Sequence, residues 1–439
     1  MIAFVTLLLG LISGVYPIEV KVGGPVAAVE MTLDGAPAGR AESSPWVVRV
    51  DLGRDLRPHR LVARALDAQG GEIARAEQWL NLPRPPAEVE VVLEKGADGV
   101  PKAAALTWQT VSGASPLAVG LTLDDRPLAV SPEGRADLPA LDLEKLHVLT
   151  AEIQFPPRVT ARRDVVFGGK YGSEVSSELT AVPVRLTGGG ELPAAARLAG
   201  WFTADGEPAT ADAVEEGPGK IAAVCVPTSS EIVSKLVPLG QRGAVLRPLH
   251  NQMRLGPEDR FHFLSLSSTS FRGSRVPAEL FQISYPLAPK DGGVFSFLTD
   301  KRIARDAKAH KRIADAVAVA GLQAAAENHR RAVVLVLGRD VEDASHHDPA
   351  KVRRYLESIH VPLFVWSLYG TETRMAKAWG PVEDVSTVSR LSDAVGRLRT
   401  EVDRQRIVWL DGRHLPQSIA LTPAAAGVEL ITGQPQEAK

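Results

Sequence analysis

The segment Ala332–Pro349, AVVLVLGRDVEDASHHDP, changes character halfway along its length. It opens with an apolar run, and positions 340–348 then hold four carboxylates and two histidines. Carboxylate oxygens and imidazole nitrogens are common metal ligands, so the composition of this segment suggests a metal site. Whether the protein binds a metal ion therefore depends on whether other parts of the chain supply further ligands.

Apolar runs alternate with helical patterns on both sides of this segment. Strands are predicted by KIAAVCVPTSS from Lys220, RFHFLSLSSTS from Arg260, AVVLVLGRD from Ala332 and VPLFVWSL from Val361. Helices are predicted within 308–331, after the capping pair Asp348–Pro349, and within 389–405. This alternation predicts an α/β doubly wound domain over 220–412, in which ligands bind at the carboxyl ends of parallel strands.

The N-terminal half has the short alternating runs of an all-β structure. Val29–Pro37 and Val119–Pro127 share the pattern V-x-x-T-L-D-x-x-P, and H-x-L-x-A begins at both His59 and His147. The same order at nearly the same spacing predicts a duplicated module. We expect two all-β immunoglobulin-like sandwiches, over 15–84 and 86–187, then a linker over 188–219 and a C-terminal tail over 413–439.

Composition narrows the possible partners and locations. The 50 basic and 52 acidic side chains nearly balance without a long run of either sign, so nucleic acid is not an expected partner. The apolar run near Met1 is too short to span a membrane but suits an export signal over 1–14, which predicts a periplasmic or secreted protein without a membrane span. A buried first strand or a misassigned start are the alternatives.

The region 221–412 resembles the von Willebrand factor A-type domain, and the chain resembles bacterial proteins in which β-sandwich modules precede such a domain. The resemblance is strongest in RRAVVLVLGRDVEDASHHDPAKVRRYLESIHVPLFVWSL and in TEVDRQRIVWLDG. It implies a metal-ion-dependent adhesion site, in which a D-x-S-x-S loop, a threonine and a later aspartate bind magnesium or manganese. The metal then takes a carboxylate of a partner protein at its open coordination position.

Only part of that ligand pattern is present in this chain. Pro227 stands at the first aspartate, Ser229 matches the first serine and Glu231 stands at the second. Val294 takes the place of the threonine, while Asp340 keeps its ligand type. Hard cations need several charged oxygen ligands, so we expect a degenerate site with no metal and no other cofactor.

These observations predict an exported, non-enzymatic binding or adhesion protein that recognises another protein or an envelope component. Its degenerate adhesion-site loops would contribute the contact residues Ser229, Ser230, Glu231 and Asp340. One alternative is a cation-dependent adhesion protein, in which the same set binds Mg or Mn. Another is an enzyme with an unrecognised interdomain site, although no nucleophile elbow, phosphate loop or zinc-protease motif is present.

Several conspicuous residues have simpler explanations than ligation. Glu342 and Asp343 are expected to be solvated loop acids, and Asp348 is expected to cap a helix. His346 and His347 are adjacent, so their rings cannot easily converge on one ion, and an exposed loop is expected instead. The single cysteine, Cys225, lies in an apolar strand and is expected to be an inert core residue that forms no disulfide.

Overall fold

The computed structural model describes residues 2–6, 10–83, 87–96, 100–110, 114–124, 126–156, 159–168, 171–175, 179–188, 190–237, 258–270, 279–283, 311–326 and 328–431. The chain divides into two compact units, one formed by residues 84–179 and the other by residues 1–83 together with 180–439. Most of the described secondary structure is β-sheet in sandwich-like pairs, which confirms the all-β modules predicted from the alternating runs.

The N-terminal sandwich contains seven strands in two sheets. They are β1 (Ile2–Phe4), β2 (Val15–Val22), β3 (Ala28–Leu33), β4 (Ala36–Ala41), β5 (Trp46–Asp51), β6 (His59–Leu66) and β7 (Glu72–Leu80). The order β1-β2-β5 forms one sheet and β4-β3-β6-β7 the other. Alternate residues of both sheets, such as Ile18, Val50, Met31 and Leu61, pack in one apolar cluster.

The second unit is a sandwich of its own. Its strands are β8 (Ala87–Lys95), β9 (Pro101–Thr110), β10 (Ala118–Leu123), β11 (Arg126–Pro127), β12 (Arg135–Asp137), β13 (Leu146–Phe155), β14 (Val159–Gly168) and β15 (Tyr171–Val175). They form the sheets β12-β9-β8 and β11-β10-β13-β14-β15. Residues from both sheets, including Val91, Leu106, Leu121 and Leu149, share one core.

The repeated sequence motif forms the same contacts in both sandwiches. Asp34, after β3, accepts hydrogen bonds from the amide of Arg60 at 2.8 Å and from Nδ1 of His59 at 2.7 Å. Asp124, after β10, accepts from the amide of Val148 at 2.8 Å and from Nδ1 of His147 at 2.7 Å. In each case β3 or β10 pairs antiparallel with the strand that contains the histidine.

A third pair of sheets is built from distant parts of the chain. This composite sandwich contains β16 (Leu179–Leu186), β17 (Phe202–Ala204), β18 (Glu207–Ala209), β19 (Ala211–Glu215), β26 (Gln405–Asp411), β27 (Ile419–Leu421) and β28 (Val428–Leu430). Its sheets are β19-β26-β16-β28 and β18-β17-β27. The segments expected as a linker and as a tail thus supply strands, because Phe202, Ala209 and Ile419 share one apolar core.

The remaining described elements form a mostly parallel six-stranded sheet with helices. The strands are β20 (Gly219–Cys225), β21 (Arg260–Ser270), β22 (Glu279–Ile283), β23 (Arg330–Leu337), β24 (Leu363–Ser367) and β25 (Glu383–Asp384), in the order β22-β21-β20-β23-β24-β25. Only β22, at one edge, is antiparallel to its neighbour. The helices are α1 (Ser229–Leu236), α2 (Ile313–Ala325), α3 (Pro349–Ser358), α4 (Arg374–Trp379) and α5 (Val388–Arg404).

Helices cover both faces of this sheet. Along β20, Ile221 and Ala223 join the core with α1 and α5, whereas Ala222 and Val224 join the core with α2, α3 and α4. The helix predicted within 389–405 is α5, and its buried face contains Leu391, Val395, Leu398 and Val402. The predicted cap of α3 is also confirmed, since Asp348 accepts a hydrogen bond from the amide of Lys351 and Pro349 is the first helical residue.

The N-terminal sandwich packs against the helical face formed by α2, α3 and α4. Leu56, in the loop before β6, is 1% exposed and lies in the apolar cluster of that face. The hydroxyl of Tyr355 donates to the carbonyl of Asn81 at 2.9 Å, and Arg354 pairs with Asp55 at 2.8 Å. These contacts attach the sandwich to α3 in the same compact unit.

The apolar N-terminal run lies within this unit. Ile2 pairs with Val22 in the sheet and is 7% exposed, while Leu11 packs against the cluster that contains Leu56. The Asn81 side chain bonds both the amide and the carbonyl of Ile12, each at 2.8 Å. Among the described residues, no helix has both the length and the apolar character needed to cross a bilayer.

Candidate functional site

The carboxyl ends of β20, β23 and β24 meet at one edge of the central sheet, because these neighbouring strands are parallel. The chain leaves these strands at Val226, Gly338 and Leu368. Ligands of open α/β sheets bind at this edge. We call the exposed and half-buried residues that follow these strands the strand-end surface, and it contains Thr228, Ser230, Glu231, Lys235, Arg339, Asp340 and Tyr369.

The first loop of the strand-end surface, after β20, is hydrogen-bonded to the second, after β23. Thr228 caps α1 by accepting a hydrogen bond from the amide of Glu231, and its hydroxyl lies 3.0 Å from that of Ser230. Glu231 Oε1 in turn accepts from the amide of Arg339 at 3.0 Å. The loops are also close in space, since a Cβ added to Gly338 would lie 2.7 Å from Cβ of Pro227. The proline that replaces the expected aspartate therefore packs against the second loop.

The carboxylate of Asp340 binds a helix terminus. Its two oxygens accept hydrogen bonds from the amides of Arg374 at 3.2 Å and Met375 at 3.0 Å. These amides belong to the first turn of α4, where backbone N–H groups have no partner within the helix. Thr373 caps the same turn by accepting from the amide of Ala376. The one retained acidic ligand type therefore holds α4 in place.

The sequence-predicted site residues reach one edge without forming a common cluster. Glu231 and Asp340 lie on loops joined by the hydrogen bond to Arg339, but their carboxylates bind different amides. Ser229 is the first residue of α1, and Val294 lies outside the described residues. No group of three or more His, Cys, Asp or Glu side chains in the described part of the chain could hold a metal ion.

Two cationic side chains flank an aromatic ring on this surface. Nζ of Lys235 lies 5.0 Å from the ring centroid of Tyr369, and the guanidinium carbon of Arg339 lies 5.8 Å from it. Nε of Arg339 also donates to the Tyr369 hydroxyl at 3.2 Å. That hydrogen bond, with the nearby charge of Glu231, holds the pKa of Arg339 above its ordinary value. We call Lys235, Arg339 and Tyr369 the cation–aromatic cluster.

Asp384, an acidic residue near this cluster, is ionised and paired with an arginine. Burial would raise the pKa of Asp384, but hydrogen bonds from Ser386 and the charges of Arg390 and Lys235 lower it below its ordinary value. Asp384 also forms an ion pair with Arg390. Lys235, whose charge acts on this carboxylate, has an exposed side chain.

The acidic and histidine-rich loop after Asp340 forms a reciprocal capping arrangement with α2. Asp343 accepts hydrogen bonds from the amides of Ile313 and Ala314, at the start of that helix. Asp315 accepts from the amides of His346 and His347 at 3.0 and 3.1 Å. The expectation that Asp343 is only a solvated loop acid is therefore wrong, because its oxygens are used by a helix terminus.

The titratable groups of this loop act structurally. Burial would raise the pKa of Asp315, but the hydrogen bonds from the His346 amide and from Arg312 lower it. Burial lowers the pKa of His347 and favours its neutral form. Cys225, in β20, is buried, and burial raises the pKa of its thiol to about 12. The thiol is therefore protonated at neutral pH, and its burial confirms the predicted core position.

Sequence analysis missed the three residues of the cation–aromatic cluster. Arg339 and Tyr369 could have been found, because each follows the carboxyl end of a predicted parallel strand. Lys235 lies near the end of α1 and carries no comparable sequence feature. Its position beside the Tyr369 ring depends on how that helix packs on the sheet.

Comparison with known proteins gives only weak similarities. No protein-family model and no curated protein matches the chain. The fibronectin(III)-like modules of Clostridium thermocellum CbhA are 13% identical, over 39% of this chain and 94% of that one, with a TM-score of 0.16. The central fibronectin-III array of RIM-binding protein is 12% identical, over 48% and 79%, with a TM-score of 0.24.

A third similar structure is that of proximal thread matrix protein 1 from the mussel byssus, with a zinc occupied MIDAS motif. It is 13% identical over 45% of this chain and 49% of that chain, with a TM-score of 0.29. The chain thus spans about half the length of the mussel protein. Similarities of this strength carry no inference about what the present chain binds.

Proposed function

We propose that this protein is an exported, non-enzymatic binding protein that recognises another protein through the strand-end surface of a von Willebrand factor A-type domain. The parallel sheet with helices on both faces supports the domain assignment. A periplasmic or extracellular location is motivated only by the composition of the apolar run near the N-terminus, which suits an export signal although the same residues pack in the N-terminal sandwich. Recognition requires no metal ion and no covalent step in this proposal.

One observation carries the metal-independent part of the proposal. Both acidic residues at the expected adhesion site bind backbone amides, Glu231 that of Arg339 and Asp340 those of Arg374 and Met375. Magnesium demands near-octahedral oxygen coordination, so its binding would have to compete with these hydrogen bonds. The same hydrogen bonds hold the two loops and α4 together. They favour a fixed protein-binding surface over a cation site.

Site-specific photocrosslinking in native cells tests this function. A photoreactive phenylalanine analogue replaces exposed Ser230 in the full-length chain, and a matched analogue replaces exposed Arg404 at the end of α5. Arg404 lies at the opposite edge of the sheet, where Arg330 at the start of β23 donates to the Val402 carbonyl. We expect a discrete protein adduct from position 230 and none from position 404, equally with magnesium and with a chelator.

Two results would overturn the proposal. Equal adducts from both positions, or none from position 230, would remove the strand-end surface as the recognition site. An adduct that disappears with the chelator would establish a cation-dependent mechanism instead. Calorimetric titration with magnesium or manganese complements the crosslinking, and we expect neither saturable binding nor a shift in unfolding temperature at millimolar ion, because a bound ion would raise stability by mass action.

A further inference from the structure

We infer that His360 is an acid-sensitive latch, which holds residues 416–431 closed while its ring is neutral and releases them when the ring takes up a proton. We call residues 416–431 the C-terminal strap. The strap contains β27 and β28, so its release would uncover the edges of β17 and β16, with which these strands pair. The latch lies outside the strand-end surface and does not depend on the proposed function.

The end of α3 fixes the position of the His360 ring. The residue has a positive φ of 55°, and its amide donates to the Glu357 carbonyl at 3.1 Å. The next amide, that of Val361, donates to the Leu356 carbonyl at 2.9 Å. A helix that ends with such hydrogen bonds has a defined terminus. The residue is only 5% exposed, so the ring is held in a buried position.

Both ends of the C-terminal strap meet this ring. Nδ1 of His360 lies 3.1 Å from the carbonyl oxygen of Ile431, and Nε2 lies 3.0 Å from that of Pro416. A carbonyl oxygen can only accept a hydrogen bond, and a neutral imidazole has one N–H to donate. A protonated ring could donate to both carbonyls, but its charge would then be buried. The strap is therefore closed at both ends by one titratable side chain.

A buried arginine opposes a charge on the ring. Arg331, at the start of β23, is 4% exposed. Its Nε donates to the His329 carbonyl at 3.1 Å, and its Nη2 has no hydrogen-bond partner among the described residues. Burial lowers the pKa of Arg331 to about 10, and no described acid offsets its charge. The guanidinium therefore stays charged at neutral pH, and a proton on His360 would add a second buried cation beside it.

Other charged groups on the neighbouring elements do not compensate a proton on His360. Glu357 of α3 acts on the arginines of its own helix, and Glu429 of β28 pairs with Arg185 at 2.6 Å. Neither β24 nor β27 contains a titratable side chain. Among the described residues, Arg331 is the charged group that acts on the ring.

The sign of the pH effect follows from these surroundings. Burial and the charge of Arg331 lower the pKa of His360 below 6.5, although its two carbonyl partners act in the opposite direction. An open strap exposes the ring to water and lets it bind a proton more readily. The closed form therefore has its full stability above pH 6.5 and loses stability as the pH falls below that value.

Hydrogen exchange of the full-length protein tests the latch, measured between about pH 8 and about pH 5 and corrected for the intrinsic rate of each amide. One reporter in the strap is the amide of Thr422, which donates to the Trp201 carbonyl at 2.9 Å. Below pH 6.5 we expect protection of the strap to fall by up to about tenfold per pH unit, because opening is linked to the uptake of one proton. The amides of β23 provide the internal reference and should keep their protection.

Three variants assign the pH dependence to the latch. His360→Gln keeps a side-chain donor that cannot be protonated, so protection of the strap should not change with pH, even if it is lower throughout. Arg331→Gln removes the buried cation, so acid should open the strap less. His414→Gln is the matched control, because this half-buried ring faces the Asp411 carbonyl just before the strap and should not affect its pH dependence.

Protection of the strap that stays constant below pH 6.5 in the unaltered protein, or that falls equally in His360→Gln, would overturn the inference. NMR titration of the His360 ring gives a second readout, which does not require His360→Gln to fold. The pKa of His360 should lie below 6.5 in the unaltered protein and should rise in Arg331→Gln, because a nearby positive charge has been removed. A His360 pKa at or above 6.5, or one that Arg331→Gln leaves unchanged, would contradict the latch.

Discussion

The two sandwiches that carry the repeated motif use the same Asp–His pair in different surroundings. In the N-terminal sandwich the His59 side chain is 1% exposed and that of Asp34 is 26% exposed. In the second sandwich the corresponding values are 11% for His147 and 44% for Asp124. The first copy belongs to the compact unit that contains the central sheet, whereas the second forms a unit by itself.

The two copies of the motif share the geometry of the turn but differ in burial. In both copies the aspartate has a positive φ, 51° at Asp34 and 49° at Asp124, a conformation that aspartate tolerates better than most residues. In both copies the second ring nitrogen faces a backbone carbonyl, that of Leu52 or of Asp142. The local turn is therefore a property of the motif. The degree of burial depends on the packing around it.

The largest expected effect tests the contact that only the first sandwich makes. Leu56→Ala should lower the free energy of unfolding by about 4 kcal/mol, because the leucine is 1% exposed in a shared core and its removal leaves a cavity. The matched change in the second sandwich, Leu143→Ala, affects a partly buried leucine and should cost about 1 kcal/mol. Urea unfolding followed by hydrogen exchange measures each unit separately.

The location of the exchange changes provides the control for this prediction. Leu56→Ala should reduce protection in both the N-terminal sandwich and the α3 helix, whereas Leu143→Ala should affect residues 87–175 alone. Equal losses from the two variants would show that the N-terminal sandwich gains no stability from the central sheet.

Removal of each histidine ring tests whether the contribution of the Asp–His pair to stability depends on its burial. His59→Ala should destabilise its unit by about 2–3 kcal/mol, since the half-buried Asp34 carboxylate loses the hydrogen bond from the His59 ring and keeps the one from the Arg60 amide. His147→Ala should cost about 1 kcal/mol, because water reaches the more exposed Asp124 and replaces the lost bond. Both are measured by urea unfolding at neutral pH. A larger loss for His147→Ala would contradict the link between burial and pair strength.

The smallest expected effect is a pH dependence of the second sandwich. The hydrogen bond that the His147 ring donates to Asp124 raises the pKa of His147 above 6.5, and the same bond lowers the pKa of Asp124 below 3.8. The histidine contribution to stability is complete below pH 6.5 and is lost as pH rises through the raised pKa. The aspartate contribution is complete above pH 3.8 and is lost as pH falls through the lowered pKa. Stability from this pair is therefore greatest between those two values.

NMR titration of the histidine rings measures the pKa of His147 directly. The resonance of His147 is assigned by its absence in His147→Gln, and its pKa should lie above 6.5 in the unaltered protein. In Asp124→Asn the pKa should return toward 6.5, because the carboxylate that stabilises the charged ring is gone. A His147 pKa that does not change in Asp124→Asn would contradict the assigned cause.

Much of the local structure follows from short-range sequence patterns. The cap at Asp348, the buried face of α5 and the apolar strands β20, β23 and β24 could all be predicted, because each depends on residues a few positions apart. The V-x-x-T-L-D and H-x-L-x-A patterns likewise indicated a structural device that occurs twice. Hydrophobic period and turn chemistry act over such distances.

The candidate site was only partly predictable, because its contacts join residues that are far apart in the sequence. The sequence predicted that Glu231 and Asp340 lie at the carboxyl edge of the sheet, since both follow parallel strands. It did not show that their carboxylates bind the amides of Arg339, Arg374 and Met375. A carboxylate offers the same oxygens to a cation or to a helix terminus, and only the position of the neighbouring backbone determines which of them it binds.

The sequence by itself determined the kinds of element along this chain and the duplicated turn of its two sandwiches. The tertiary structure decided which distant segments share a sheet. Residues 179–215 and 405–430 form the composite sandwich, and Arg185 in β16 makes a bidentate ion pair with Glu401 of α5, 216 positions away. Local propensity carries no information about such pairings. They depend on the apolar area and the buried hydrogen bonds that become available only when the whole chain has packed.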